Sequence, residues 1–199
     1  MWNGPADRRT NFSGVVSLAG HFSTADQRHL LVAGTSHGTV HEIFWKPAQL
    51  GIEGQDDLPV TFGAGSIVSV ATMYNSDQHR HVVLVGTKDG KVHDIWWKPE
   101  TIGIEGHDVL PVAFSPNSIV AVSGLYNPDH QRYVVFVGTS GGKVHEIWWK
   151  EDTAGVEGHD DLPVTFAPGS IVGVTGFYNT DQQRYVVVVA TNAGKLHEI

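Results

Sequence analysis

The residues from Ser66 to Asn117 read SIVSVATMYNSDQHRHVVLVGTKDGKVHDIWWKPETIGIEGHDVLPVAFSPN, and those from Ser118 to Gly169 read SIVAVSGLYNPDHQRYVVFVGTSGGKVHEIWWKEDTAGVEGHDDLPVTFAPG. The two passages align without a gap, and about three-fifths of their positions are identical, at a period typical of repeat architectures. A further copy precedes them from Gly14 to Gly65, and a last one runs from Ser170 to Ile199. A chain built this way solves one packing problem four times, because each unit buries its apolar face against a neighbour of the same kind. No linker or low-complexity stretch separates the copies, so the reading is a single domain over 1–199. Its repeats are 14–65, 66–117, 118–169, and 170–199 completed by 1–13.

Each copy carries four strand signals. The first is small and β-branched, as in Ser66-Ile67-Val68-Ser69-Val70-Ala71. The second is the apolar run Val82-Val83-Leu84-Val85, suited to a strand covered on both faces. The third is Lys91 to Trp97, and the fourth is the short Leu110-Pro111-Val112-Ala113-Phe114. Asp89-Gly90 supplies the positive φ angles of a tight hairpin between the second and third strands. Four antiparallel strands per period, four times over, predict an all-β, four-bladed propeller.

The two ends continue one another in register. His197-Glu198-Ile199 matches His145-Glu146-Ile147, and Met1-Trp2-Asn3 falls where Trp148-Trp149-Lys150 stands. The N- and C-terminal segments are therefore expected to close the ring through a shared strand, which hides the edges that would otherwise pair with other chains. The same register admits closure between two chains, an eight-blade homodimer. Between Trp2 and Val15 the connecting segment is about nine residues shorter than in the other copies, so its Glu-Gly-His-Asp element occurs in only three of them, as Glu53-Gly54-Gln55-Asp56, Glu105 to Asp108 and Glu157 to Asp160.

Composition excludes several classes. The net charge is −8 and the 13 Lys and Arg residues are scattered, so there is no basic stripe for nucleic acid. No run of 18 apolar residues predicts membrane insertion. There is no cysteine, hence no disulfide framework or thiolate site. The opening residues do not read as a secretory signal, and nothing in the sequence assigns a compartment.

With these residues in view, the chain resembles tandem-repeat β-propellers. In blade count and length it is similar to the four-bladed hemopexin-like fold. The hairpin Gly138 to Trp149, of the form G-T-x-x-G-K-V-H-E-I-W-W, resembles the per-blade hairpins of propeller lectins of the tachylectin-like and fucose-binding types. That resemblance implies sugar sites between neighbouring blades, built from an aromatic, an arginine and an acid.

The recurring side chains offer candidates. His41, His93, His145 and His197 recur on the third strand, each followed by an acid. Alternate strand residues face opposite ways, so histidine and acid cannot share one ligand, and structural hydrogen bonding is the favoured reading; no metal or cofactor is expected. Trp45, Trp97 and Trp149 are candidate stacking platforms, weighed against packing between blades. Arg28, Arg80, Arg132 and Arg184 sit in the loop between the first two strands, expected at the opposite rim, where Asp77, Asp129 and Asp181 could pair with the last three. Asp56, Asp108 and Asp160, with His107 and His159, lie in the longest loop, and such loops collect binding residues.

Near-identical blades give near-identical sites, which suits multivalent recognition better than catalysis, where groups take different roles. No GxSxG, HExxH or Walker pattern is present. The sequence therefore predicts a non-enzymatic module binding glycans or glycoconjugates. The alternative is a structural or protein-interaction scaffold without a small ligand. If the long loop forms the sites, three per chain are expected; if the arginine loop does, four.

Overall fold

The computed structural model describes residues 12–48, 51–101, 103–150 and 155–199. The chain is all-β. Four antiparallel sheets follow one another as the blades of a four-bladed β-propeller. Blade one comprises β1 (Val15–Ser23), β2 (Arg28–Thr35), β3 (Thr39–Trp45) and β4 (Gly54–Thr61). Blade two comprises β5 (Ile67–Asn75), β6 (Arg80–Thr87), β7 (Val92–Trp97) and β8 (Gly106–Val109). Blade three holds β9 (Ile119–Asn127), β10 (Arg132–Thr139), β11 (Lys143–Lys150) and β12 (Gly158–Thr165), and blade four holds β13 (Ile171–Asn179), β14 (Arg184–Thr191) and β15 (Leu196–Glu198).

The hairpin chemistry read from the sequence explains the tight turns. Gly90, between β6 and β7, has φ +85°. A Cβ there would lie 2.0 Å from the carbonyl oxygen of Phe114, whose own N–H donates to the Gly90 carbonyl at 2.8 Å. Backbone conformation and backbone approach both demand glycine, and Gly38 and Gly142 repeat the arrangement.

The blades pack in chain order through their first strands, β1 on β5, β5 on β9 and β9 on β13. Small polar side chains tie these strands together. Ser17 Oγ accepts from the Val70 amide, Ser69 Oγ from that of Val122, and Ser123 Oγ from that of Gly176, each at 3.0 Å. The second strands form the core: Val83, Leu84 and Val85 of β6 and Val134, Val135 and Val137 of β10 are fully buried. Leu84 joins Ile119 and Val122 of the next blade in one cluster, so the apolar mass lies between blades.

Two boundaries differ from the sequence reading. The arginines open the second strands and are not loop residues. The fourth strand of blade two begins at Gly106, ahead of the apolar Leu110, because the chain pairs with β7 as soon as it turns back: the Glu105 amide donates to the Trp96 carbonyl at 2.8 Å. The Gly-His-Asp element is therefore strand. The expected closing strand through Trp2 lies outside the described residues. Among the described residues, β13 and β1 share no packed face like those between consecutive blades. No helix long and apolar enough to cross a membrane is found there either.

Candidate functional site

Antiparallel register places the chemistry. Across the third and fourth strands Glu42 stands opposite Asp56, Asp94 opposite Asp108 and Glu146 opposite Asp160. Side chains alternate along a strand, and residues directly opposite share a face. Each pair of acids therefore projects together. Two residues before or after along the same faces stand Phe44, Trp96 and Trp148 on the third strands and Leu58, Leu110 and Leu162 beyond the second acid.

These faces open into clefts between neighbouring blades. The cleft between blades one and two has a volume of about 500 Å³ and is lined by Arg28, Glu42, Phe44 and Asp56 on one side and His81 and Trp97 on the other. The cleft between blades two and three, about 380 Å³, is lined by Arg80, Asp94, Trp96 and Asp108 facing Tyr133 and Trp149. Both volumes suit a small ligand. Blade three carries the same set again in Arg132, Glu146, Trp148 and Asp160.

The aromatic wall of each cleft depends on glycine. A Cβ at Gly106 would meet the Trp96 ring at 2.1 Å, one at Gly158 the Trp148 ring at 2.3 Å, and one at Gly54 the Phe44 ring at 2.3 Å. The glycine of each Glu-Gly-x-Asp element thus lets a ring lie flat on the fourth strand. The opposite wall is a ring pair from the next blade: Tyr133 stacked on Trp149 at 5.1 Å between ring centroids, and His81 tilted against Trp97 at 5.4 Å. His29 and Trp45 form the same pair at 5.1 Å on the far side of blade one. Trp97 is buried, and Trp45 and Trp149 are partly buried.

The arginines do not lie at the opposite rim; they enter the same clefts as the aspartates, because the second strand runs beside the third. Nor do they pair with the acids three residues before them. Arg28 Nε and Nη2 donate to Glu53 at 3.0 and 2.5 Å, Arg80 Nε to Glu105 at 2.7 Å, and Arg132 Nη2 faces Glu157 at 3.0 Å. Arg184, whose blade has three described strands, instead meets Glu198 at 3.1 Å. Asp77 accepts from the Tyr126 hydroxyl at 2.6 Å.

His107 does not join Asp108 in the cleft, since adjacent strand residues face opposite ways. Its Nε2 lies 3.1 Å from Nδ1 of His93. His159 holds the same register position, opposite Ile147 as His107 is opposite Ile95. Two other third-strand histidines bind acids: His41 pairs with Asp57, and His145 Nδ1 lies 2.5 Å from Asp161, whereas His197 meets the Phe166 ring edge-on. No cluster of three or more such groups arranged to hold a metal is found among the described residues.

Burial sets the electrostatics. The Glu42 carboxyl is pushed up to about 7, first by desolvation and then by Asp56, against the pull of Arg28. Asp94 is raised to about 6 by desolvation and Asp108, and Glu146 is raised for the same reasons with Asp160. One carboxyl oxygen of Glu42 and one of Asp94 are buried without a hydrogen-bond partner. An acid pair, an arginine and two aromatic walls can bind hydroxyl groups on one edge of a small molecule and cover its apolar faces. Sequence reasoning passed over Glu42, Asp94 and Glu146 as companions of the histidines, and missed Glu53, Glu105 and Glu157 as arginine partners. The cross-strand register is the signal that would have found the first three.

No protein-family model matches the chain, and no curated protein does. Solved structures do. The BP39L lectin from Burkholderia pseudomallei is similar at TM-score 0.66 and 19% identity, over 100% of this chain and 56% of that one. The SapL1 lectin, solved with α-methyl fucoside, is similar at TM-score 0.63 and 12% identity, over 94% of this chain and 59% of its own. A mutant of the Aleuria aurantia lectin with α-methyl-L-fucoside is similar at TM-score 0.60 and 10% identity, over 91% of this chain and 55% of its own. The chain thus spans a little over half the length of these lectins, and what it shares with them is the β-propeller fold.

Proposed function

We propose that this chain is a multivalent carbohydrate-binding module and not an enzyme, with its sugar sites in the clefts between blades. The observation that carries the reading is the convergence, at two successive clefts, of one arginine, one cross-strand acid pair and two aromatic walls. Ring hydroxyls donate to the acid pair that lines each cleft, Glu42 with Asp56 or Asp94 with Asp108. Apolar sugar faces rest on Trp97 or Trp149 and on Phe44 or Trp96. The arginine, oriented by the loop glutamate, brings its positive charge and planar guanidinium to the same cleft. Because arginine and aspartate share one cleft, counts of three and four are no longer rival loop sites. Two complete sites are expected from blades one to three, plus a third in which Arg132, Glu146, Trp148 and Asp160 face blade four.

Two of the lectins that share the fold, SapL1 and the Aleuria aurantia lectin, were solved with fucosides, which makes α-methyl-L-fucoside the first probe. Titration calorimetry with that sugar, beside a broad glycan array, tests the reading. Binding that Asp94→Asn weakens at one class of site supports it. A flat array and no heat would leave the scaffold reading.

A further inference from the structure

The outer faces of the first and last blades are bare where their counterparts are buried. On β1, Val15 is 41% exposed and Leu18 58%, whereas the equivalent Ile67 and Val70 of β5 are 4% and 3% exposed. Ile119 and Val122 of β9 are as well covered, at 4% and 5%. On blade four, Phe177 is 50% exposed and Leu196 75%, whereas the equivalent Met73 and Leu125 are 4% and 8%, and Val92 and Val144 are both 0%. Isolated exposed apolar residues are ordinary, but contiguous apolar faces mark interaction surfaces.

The chemistry of the missing partner is written in the chain. The face of β1 is the one that β5, β9 and β13 each bury against the preceding blade. The face of blade four is the one that blades one, two and three each bury against the following blade. The bare faces therefore fit one another, as a fourth instance of an interface the chain already makes three times. Among the described residues of one chain the two faces do not meet, but between two copies they can. Such a head-to-tail contact either closes a ring or propagates as an open chain.

We propose that two copies of this chain close one ring head to tail, blade four of each seated on blade one of the other, and that each junction completes a further inter-blade cleft. Arg184, Val186 and Glu198 of one copy supply the strand positions held elsewhere by Arg80, Val82 and Asp94. The stacked His29–Trp45 pair of the other copy supplies the opposite wall, already formed as in Tyr133–Trp149. What that cleft binds rests on the carbohydrate reading above; the pairing of the copies does not.

Light scattering coupled to gel filtration separates the two. The expected mass is twice the 21.6 kDa of one chain, constant over a wide concentration range. Leu18→Asp and Phe177→Asp alter residues that are exposed within one chain, so circular dichroism should remain that of the parent, while the melt falls by what the lost junctions contribute. Each variant alone is expected at the mass of one chain. Their mixture restores one sound junction, from the intact face of each, and is expected to recover the doubled mass. A parent mass of one chain, a mass that climbs with concentration, or a pair that survives either substitution would overturn the proposal. A doubled mass without sugar binding at any site would leave the pair standing and remove the carbohydrate reading. Trp45→Ala should leave the mass doubled and remove one α-methyl-L-fucoside site per chain.

Discussion

Gly106→Ala puts the site geometry under direct strain. The added methyl would sit 2.1 Å from Cζ2 of Trp96, with Cε2 at 2.5 Å and Cη2 at 2.6 Å. Contacts below 3.0 Å are not tolerated, so the ring must move by roughly an ångström or the strand must part from β7. Trp96 is only partly buried and borders the cleft, so the ring has somewhere to go. The cost should fall at about 1 to 3 kcal/mol, the usual range for one surplus methyl group in a packed site. For a chain of this size that lowers Tm by about 2 to 4 °C per kcal/mol. The displaced ring also enters the space a ligand would fill. Sugar binding at the cleft between blades two and three should therefore fall more than stability does, while the cleft between blades one and two is untouched. The check is a double-mutant cycle with Trp96→Ala, read by thermal melting: the ring's removal should relieve most of the methyl's cost, giving a coupling of about 1 to 3 kcal/mol. An additive cycle, or a Gly106→Ala chain that melts with the parent, would mean that the ring does not lie on the fourth strand.

Trp97→Ala empties a buried position between blades and should cost about 3 to 5 kcal/mol, measured by denaturant unfolding, and abolish binding at the first cleft. Burial raises Glu42 and Asp94, so the folded chain holds those protons more tightly than the unfolded one. Stability should therefore decline as pH rises from the ordinary carboxylate range through about 6 and about 7, and Glu42→Gln or Asp94→Asn should flatten that decline in melts run across pH. Sugar affinity should move the opposite way, rising as each acid ionises and becomes an acceptor, with the blade two–three cleft gaining strength at lower pH than the blade one–two cleft. Glu105→Gln loosens an ion pair whose partners are about a quarter exposed; melting should change by only about 0 to 1 kcal/mol, while calorimetry should show weaker binding as Arg80 loses its anchor.

The repeat and its strand signals made the blades legible because apolar alternation and Asp-Gly hairpins are local in sequence. Glycine at 90 and the valine run at 82–85 sit where the sequence places them. The site was only partly legible. Trp97, Trp149, Asp56 and Asp108 line clefts, as do Arg28 and Arg80, but their convergence depends on which strand lies beside which, and that is set by pairing across the sheet. Glu-Gly-His-Asp read as a loop because its side chains serve the cleft and the rim and so carry no apolar alternation. His107 was grouped with Asp108 by sequence proximity, and the pleat sends it to the other face.

The serine-to-amide ties between successive first strands have a kinetic consequence. Among the described residues of one chain, each blade is secured to its sequence neighbours, so stability propagates along the chain as nearest-neighbour couplings, as in other repeat proteins. In a chain not yet paired with a second copy, the middle two blades have neighbours on both sides and the outer two on one. Local opening should then begin at the outer blades and work inward, and amide exchange would register it as a gradient, slowest in β6 and β10 and fastest in β1 and β15. The two clefts described are bordered by the slowest-opening strands, so ligand sites there would persist through fluctuations that unravel the ends.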